Sequence, residues 1–307
     1  MSIENRRPVI GILSQEVAYK LECIYGKGKY HSYIAASYVK FLESSGARVV
    51  PISIGKDREY FEVMMNKING VLLPGGATYF NQKDGYADAG EHIFKIARKL
   101  NDEGDYFPLW GTCLGFELMP YLWLNRPEKE IRGDCESINQ VSRLHFIDDF
   151  RQSTMFGSAQ DDVITSLSES EVTFNFHRFC FTQEIFQDHR MGEEWKILST
   201  SDDINNTTYI SSMESTKYPF FGVQFHPEKP LFEVSKDSRI PHSREAVIAN
   251  RYFADFFVEK CRESAHRYPD QEEEDSEVIF NYPITYTGLL GSTYEQCYLF
   301  EHEQTSE

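Results

Sequence analysis

The stretch Trp110–Glu117 reads WGTCLGFE, with Cys113 between Gly111 and Gly115. Just before it, Phe107–Trp110 (FPLW) is a short apolar run of the kind that forms a buried strand. Just after it, Phe116, Leu118, Met119, Tyr121, Leu122 and Trp123 predict a mostly apolar helix. A residue on a sharp strand-to-helix turn has strained dihedrals, so its neighbours must be small. That is the mechanical content of a Gly-x-nucleophile-x-Gly pattern. A thiol placed there sits at a helix N-terminus, where the dipole is expected to lower its pKa and favour the thiolate. A structural cysteine beside two turn glycines is the plain alternative, and the surrounding chain decides between them.

Upstream, strand and helix signals alternate. Pro8–Ser14, Ala47–Ser53 and Gly70–Leu73 read as buried strands, and Phe107–Trp110 is a fourth. Between them, Ile34, Ala35, Tyr38, Val39 and Leu42 recur at helical spacing up to Gly46. Phe61, Met64, Met65 and Ile68 mark a second helix, and Ile93, Ile96, Ala97 and Leu100 a third. Units of roughly 25–35 residues repeating in this way predict an α/β fold with a mostly parallel central sheet and helices on both faces. Working loops in such sheets lie at the C-terminal ends of the strands. Pro74-Gly75-Gly76 and Cys113 both end strands and are expected to meet.

Downstream, residues 126–170 are turn-rich, with weak strand (144–147) and helix (159–167) signals. Val172–Phe176 runs into His177. Trp195–Thr200, Thr208–Met213 and Pro219–Phe225 read as strands, the last ending in His226-Pro227-Glu228. A polar loop is expected over 231–242. A final amphipathic helix then carries Ala249, Phe253, Phe256, Phe257 and Cys261, with Ser243 as N-cap. The acidic run PDQEEEDSE (269–277) reads as a solvated linker. Tyr282, Tyr286, Tyr294, Tyr298 and Phe300 make the following segment too aromatic for a free tail, so it is expected to dock back. The division is thus a catalytic domain over 1–265 and an extension over 266–307.

With 307 residues and 41% hydrophobic composition the chain can bury a sizeable core. Its 31 Lys and Arg against 48 Asp and Glu leave a net charge of −17, which argues against nucleic acid and anionic membrane surfaces as partners. No apolar run approaches the ~20 residues of a membrane span. No signal-peptide core precedes the strand at Pro8, so the chain as given is expected to be cytosolic or a mature form. Six cysteines stand at 23, 113, 135, 180, 261 and 297, none in a Cys-x-x-Cys pair. A zinc site is not expected, and in a cytosolic setting all six would be free thiols.

A cysteine nucleophile needs a base, a group orienting that base, and oxyanion donors. His226 and Glu228, two apart on an extended segment, would point the same way. The backbone N–H groups of Gly75 and Gly76, with that of Leu114, make a candidate oxyanion hole. Three loops thus end three buried strands, in the order Pro-Gly-Gly, Gly-x-Cys-x-Gly, His-Pro-Glu.

That conjunction resembles the class I glutamine-amidotransferase superfamily, and within it is most similar to the γ-glutamyl hydrolases, or folylpolyglutamate hydrolases. The resemblance covers roughly residues 8–262. It rests on YIAASYVKFLESSGARVVP (33–51), VLLPGGATYF (71–80), DYFPLWGTCLGFE (105–117), NFHRF (175–179) and YPFFGVQFHPEKP (218–230). It implies a flavodoxin-like three-layer sandwich, with Cys113 as nucleophile, His226 as general acid/base and Glu228 beside it. His177 matches a second functional histidine, although Phe179-Cys180 stands where the family pattern has Trp-Ser. Glu117, one helical turn beyond Cys113, is expected either to meet the substrate amino group or simply to stabilise the N-terminal turn of the helix. Lys229 is expected either to pair with a substrate carboxylate or to be a solvated lysine, and Tyr33 either to line the site or to serve packing.

The implied reaction is hydrolysis of folyl- and antifolyl-poly-γ-glutamates through a γ-glutamyl thioester, with no metal or organic cofactor. The resemblance also implies a homodimer and a lysosomal, vacuolar or secreted location. A glutaminase that feeds a synthase uses the same triad, but only ~45 residues follow the last helix, too few for a synthase domain. A non-catalytic relative is the third reading, disfavoured by the intact Cys113, His226 and Glu228.

Overall fold

The structure, a computed structural model, describes residues 5–235 and 238–302. In chain order it opens with β1 (Val9–Leu13), α1 (Tyr19–Tyr25), β2 (Ser32–Ala35), α2 (Ala36–Glu43), β3 (Arg48–Ile52), α3 (Arg58–Met65) and β4 (Val71–Leu73). Next come α4 (Tyr86–Asp102), β5 (Leu109–Thr112), α5 (Leu114–Trp123), β6 (Gly133–Ser142), β7 (His145–Phe146), α6 (Asp161–Glu169) and β8 (Thr173–Cys180). Then follow α7 (Gln183–Asp188), β9 (Trp195–Asp202), β10 (Thr208–Ser215), β11 (Phe220–Val223), α8 (Lys229–Phe232) and α9 (Arg244–Arg262). The chain closes with α10 (Gln271–Glu277), β12 (Ile284–Tyr286) and β13 (Gln296–Phe300).

The central sheet has eight strands in the order β3-β1-β4-β5-β11-β10-β9-β7. The first five are mutually parallel, and the β10, β9 and β7 edge is antiparallel. Successive side chains of a strand face opposite ways, so each inner strand feeds two cores. Ile10, Ile12, Leu72 and Trp110 pack with α2 and α9; Val9, Leu13, Val71, Leu73 and Leu109 pack with α3, α4 and α5. Trp110 is fully buried against Phe253, Phe256 and Phe257. The mostly parallel α/β sandwich read from the alternation is therefore the fold.

Four local expectations are corrected. The helix expected from Ile34 begins two residues later, because Ser32–Ala35 is a strand paired antiparallel with β13. The acidic run expected to be a linker is a helix, α10, capped by Asp270. Its charges face basic residues distant in sequence: Arg48 at the start of β3 meets Glu274 and Asp275 at 2.9 and 2.7 Å, and Lys67 meets Glu273 and Glu277. Cys135 and Cys180 are not free thiols but a disulfide; antiparallel pairing of β6 with β8 brings together two residues 45 apart. The polar loop expected over 231–242 starts after α8, and residues 236 and 237 lie outside the described residues. The aromatic C-terminal segment docks through β13, whose Cys297–Phe300 are all buried.

Candidate active site

Cys113 caps α5 with φ 50° and ψ −105°, the strained turn that the glycine spacing demands. The reason for both glycines is steric. A Cβ on Gly111 would lie 2.6 Å from the Gly115 carbonyl oxygen, and one on Gly115 would lie 2.0 Å from that of Leu73. Both obstacles are backbone and cannot give way. The elbow is thereby pressed against the end of β4, which leads directly into Pro74–Gly76.

The two loops meet as expected. A Cβ on Gly75 would fall 3.1 Å from Cys113 Cβ, 2.8 Å from His226 Cε1 and 2.7 Å from the Tyr38 hydroxyl. Gly75 can therefore only be glycine. The Pro74 carbonyl accepts hydrogen bonds from Tyr86 and Gln15, at 2.8 and 3.1 Å, which fix the loop. The Gly75 N–H, expected to be an open oxyanion donor, instead donates to the Tyr38 hydroxyl at 2.9 Å. The Leu114 N–H lies near the Cys113 sulfur and favours its charged form.

His226 and Glu228 do come together, but not on an extended strand. β11 ends at Val223, and His226–Glu228 form a turn leading into α8. The turn folds Glu228 back so that its Oε1 is 2.7 Å from His226 Nδ1. The backbone N–H of His226 donates to the Phe174 carbonyl of β8 at 2.8 Å, anchoring the turn. Tyr38 Oη lies 3.3 Å from the same Nδ1. With Nδ1 turned to Glu228, Nε2 is the nitrogen left for chemistry. No hydrogen bond joins Cys113 Sγ to His226, a looseness common in free enzymes.

The site is dry: Cys113, His177, His226 and Glu228 are all at most 5% exposed. Burial is the largest influence on the thiol. It pushes the Cys113 thiol well above its ordinary value, helped by the nearby Glu117 and Glu228 charges; the Leu114 N–H and Lys229 pull the other way. The expected lowering is thus reversed in the closed site. Burial also depresses His226, against the pull of Glu228. Burial thus favours the neutral thiol and the neutral imidazole in the resting pair.

His177, on β8, lies in the same layer. Its Nδ1 is 3.0 Å from the Phe179 carbonyl, its ring stands edge-on to Tyr209, and Nε2 is buried without a partner. Burial, with His226 nearby, lowers its pKa to about 3. Lys229 is buried with its ammonium 4.7 Å from the Tyr294 ring and 5.9 Å from that of Phe174. No carboxylate among the described residues forms an ion pair with it. Tyr33 is buried 6.1 Å, ring to ring, from Tyr294, so it reaches the site through that residue. Gly76 packs on Gln15. Glu117 is buried, but both its oxygens are taken: Oε1 by Gln224 at 2.9 Å and Oε2 by Arg132 at 2.5 Å.

Three residues escape the sequence reading. Tyr38 bridges Gly75 and His226; Gln224 lies with Nε2 3.9 Å from Cys113 Sγ; Arg132 holds Glu117. Gln224 lies within YPFFGVQFHPEKP and stands two residues before His226, a spacing that could flag it. Tyr38 carries only a helix-periodic signal, and Arg132 sits in the irregular middle. Among the described residues no group of three or more His, Cys, Asp or Glu could hold a metal ion, and no helix is long and apolar enough to cross a membrane.

The peptidase C26 family profile matches residues 8–228. The gamma-glutamyl hydrolase of Bos taurus is 39% identical over 297 residues, spanning 96% of this chain and 90% of its own length. That of Homo sapiens is 35% identical over 302 residues with the same coverage. Gamma-glutamyl hydrolase 1 of Arabidopsis thaliana is 35% identical, over 96% of this chain and 83% of its own. Among solved structures, a putative GMP synthase component from Thermoplasma acidophilum covers 83% of this chain and 94% of its own, at 12% identity and a TM-score of 0.48. The strained cysteine elbow and its histidine–glutamate pair thus lie inside a region shared with enzymes of one kind, and the chain belongs to the peptidase C26 family of γ-glutamyl hydrolases.

Proposed function

We propose that the protein hydrolyses γ-glutamyl bonds in folyl- and antifolyl-poly-γ-glutamates through a thioester on Cys113. The observation that carries this reading is the contact set at Gly75, which packs between Cys113 and a His226 already oriented by Glu228 at 2.7 Å. As the Cys113 sulfur attacks the γ-carbonyl carbon, its proton passes to His226 Nε2. Glu228 stabilises the imidazolium that forms. The oxyanion is received by the N–H groups of Gly76 and Leu114, and by that of Gly75 once it leaves the Tyr38 hydroxyl. Collapse expels the α-amine of the next glutamate, which takes the proton from His226 and leaves a γ-glutamyl thioester. His226 then deprotonates a water that attacks the thioester, releasing a free γ-carboxylate and restoring the thiol. No step calls for a metal or organic cofactor.

His177 and Lys229 bind the substrate from the β8 and α8 sides, and Tyr33 supports that wall. Lys229 suits a carboxylate because its ammonium is buried among rings rather than ion-paired. With both oxygens engaged, Glu117 acts chiefly by holding its neighbours. We also place the protein in an oxidising compartment, lysosomal, vacuolar or secreted, and as a homodimer. The Cys135–Cys180 bridge supports such a compartment, because cytosolic thiols are kept reduced.

Mass-spectrometric product analysis tests the reading. Pteroylpentaglutamate and, separately, free glutamine are offered to the wild type and to Cys113→Ala. Shortened folates from the wild type alone are expected. Ammonia and glutamate from glutamine, with the folate untouched, would make the protein a glutaminase instead. Turnover of neither would leave a binding protein.

A further inference from the structure

Arg132 is an unusual arginine. It stands just before β6, its side chain only 8% exposed, with its guanidinium 4.6 Å from the Phe80 ring and 4.7 Å from the Phe179 ring. Both rings stand on anchored backbone. Phe80 packs on Tyr121, and Arg126 donates to its carbonyl. Phe179 pairs with Asp134 across β6 and β8, one residue from the Cys135–Cys180 bridge. The plane of the guanidinium is therefore set before any ligand arrives.

Its donors divide between two carboxylates of different character. Nη1 donates to Glu117 Oε2 at 2.5 Å, and Glu117 is 3% exposed. Through Gln224, that contact leads to the Cys113 sulfur. Nε and Nη2 donate to the two oxygens of Glu130, at 2.8 and 2.7 Å. This second pair is a parallel, bidentate fork, the geometry with which arginine selects carboxylates. Glu130, however, is 47% exposed and lies on the loop before β6. A half-exposed carboxylate gives up little when it returns to water. Glu130 Oε1 also accepts from the backbone N–H groups of Ile131 and Arg132, at 3.1 and 3.0 Å, so it keeps partners on its own loop if the guanidinium is released. The buried Glu117 contact has no such alternative, which makes the Glu130 side of the fork the exchangeable one.

We propose that Arg132 is a carboxylate receptor for the substrate, and that Glu130 keeps its seat when the site is empty. The ligand is the α-carboxylate of the glutamyl unit whose γ-carbonyl Cys113 attacks, since Arg132 joins the nucleophile through only Glu117 and Gln224. This inference rests on the γ-glutamyl reading and names the group that the site selects. Arg132 is then a specificity residue, distinct from Lys229, which lies on the α8 side with Tyr294 and Phe174. Glu130 competes with the substrate for the fork.

The test uses two pteroyl-γ-diglutamates, one with a free α-carboxylate on the first glutamyl unit and one with an α-carboxamide there. In the wild type the carboxamide is expected to raise KM about tenfold or more, the scale of a charge-assisted pair. In Arg132→Gln the ratio between the two substrates should collapse towards one, with Arg132→Lys intermediate. Glu130→Gln should lower KM for the carboxylate substrate by roughly threefold or more, because it removes the competitor. A wild-type ratio near one, a ratio unchanged in Arg132→Gln, or a Glu130→Gln KM at or above that of the wild type would overturn the proposal. If Arg132→Gln does not fold, the wild-type ratio and Glu130→Gln decide the matter. Failure of the wild type to cleave either substrate would instead bring down the γ-glutamyl reading itself.

Discussion

Replacing Glu228 by Gln keeps the shape of the site and removes one charge. In the resting enzyme this costs little, since burial favours the neutral form of His226. In the proposed mechanism His226 becomes an imidazolium during attack, and its Nδ1 is 2.7 Å from Glu228 Oε1 in a buried setting. With charge centres about 4 Å apart and an effective dielectric near 20, that attraction is worth about 4 kcal/mol. It is present in the transition state and absent from the ground state, so it acts on kcat, and about 4 kcal/mol corresponds to roughly a thousandfold. The glutamine amide can also donate to Nδ1 and hold the imidazole in the wrong tautomer, which works in the same direction. Steady-state kinetics on a γ-glutamyl substrate should show kcat reduced about a thousandfold and KM changed by no more than a few-fold. Folding is checked by thermal melting. A folded Glu228→Gln enzyme with kcat within about threefold of wild type would refute the assignment of Glu228 as the charge that stabilises His226.

Three further outcomes follow from the same geometry. His177 has its folded pKa lowered from 6.5 to about 3 by burial, so the unfolded chain binds the extra proton between those values. Stability contributed by the neutral ring is therefore complete above pH 6.5 and lost as pH falls towards 3; thermal melts of His177→Gln should fall less steeply over that window than those of the wild type. The Cys135–Cys180 bridge closes a loop over a separation of 45 residues, which loop entropy values at ~4 kcal/mol; Cys135→Ser with Cys180→Ser should lower the melting temperature by roughly 5 °C. Deleting residues 269–307 removes the strand partner of β2 and the Tyr294 ring over Lys229, so both melting temperature and activity should drop; an unchanged melt and unchanged rate would show the segment to be dispensable.

The features legible in the sequence are those with local causes. The Cys113 elbow is readable because its glycines answer steric demands within a few residues, and a parallel sheet brings strand ends together whatever fills the loops. His226 and Glu228 pair as their spacing suggests, but for a different geometric reason, a turn rather than a strand. What escapes depends on long-range partners. Tyr38 is one more buried residue on α2 until the Pro74–Gly76 loop lays the Gly75 N–H on its hydroxyl. The stretch before α2 is a strand only because β13 arrives from the far end of the chain. The acids of α10 look solvated until Arg48 and Lys67 are placed against them. The thiol shows the opposite failure: the dipole is legible from the helix that follows, but the depth of burial that overrides it is not written in the neighbouring residues.

The central claim is a covalent γ-glutamyl intermediate on Cys113, and rapid acid quench during turnover tests it most directly. Intact-mass and peptide analysis of wild type mixed with a poly-γ-glutamyl folate should find the acyl adduct on the peptide carrying Cys113, appearing before free product and decaying with it. Cys113→Ala should show neither adduct nor product. Product formation by Cys113→Ala at the wild-type rate, or an acyl adduct on any other residue, would contradict the account.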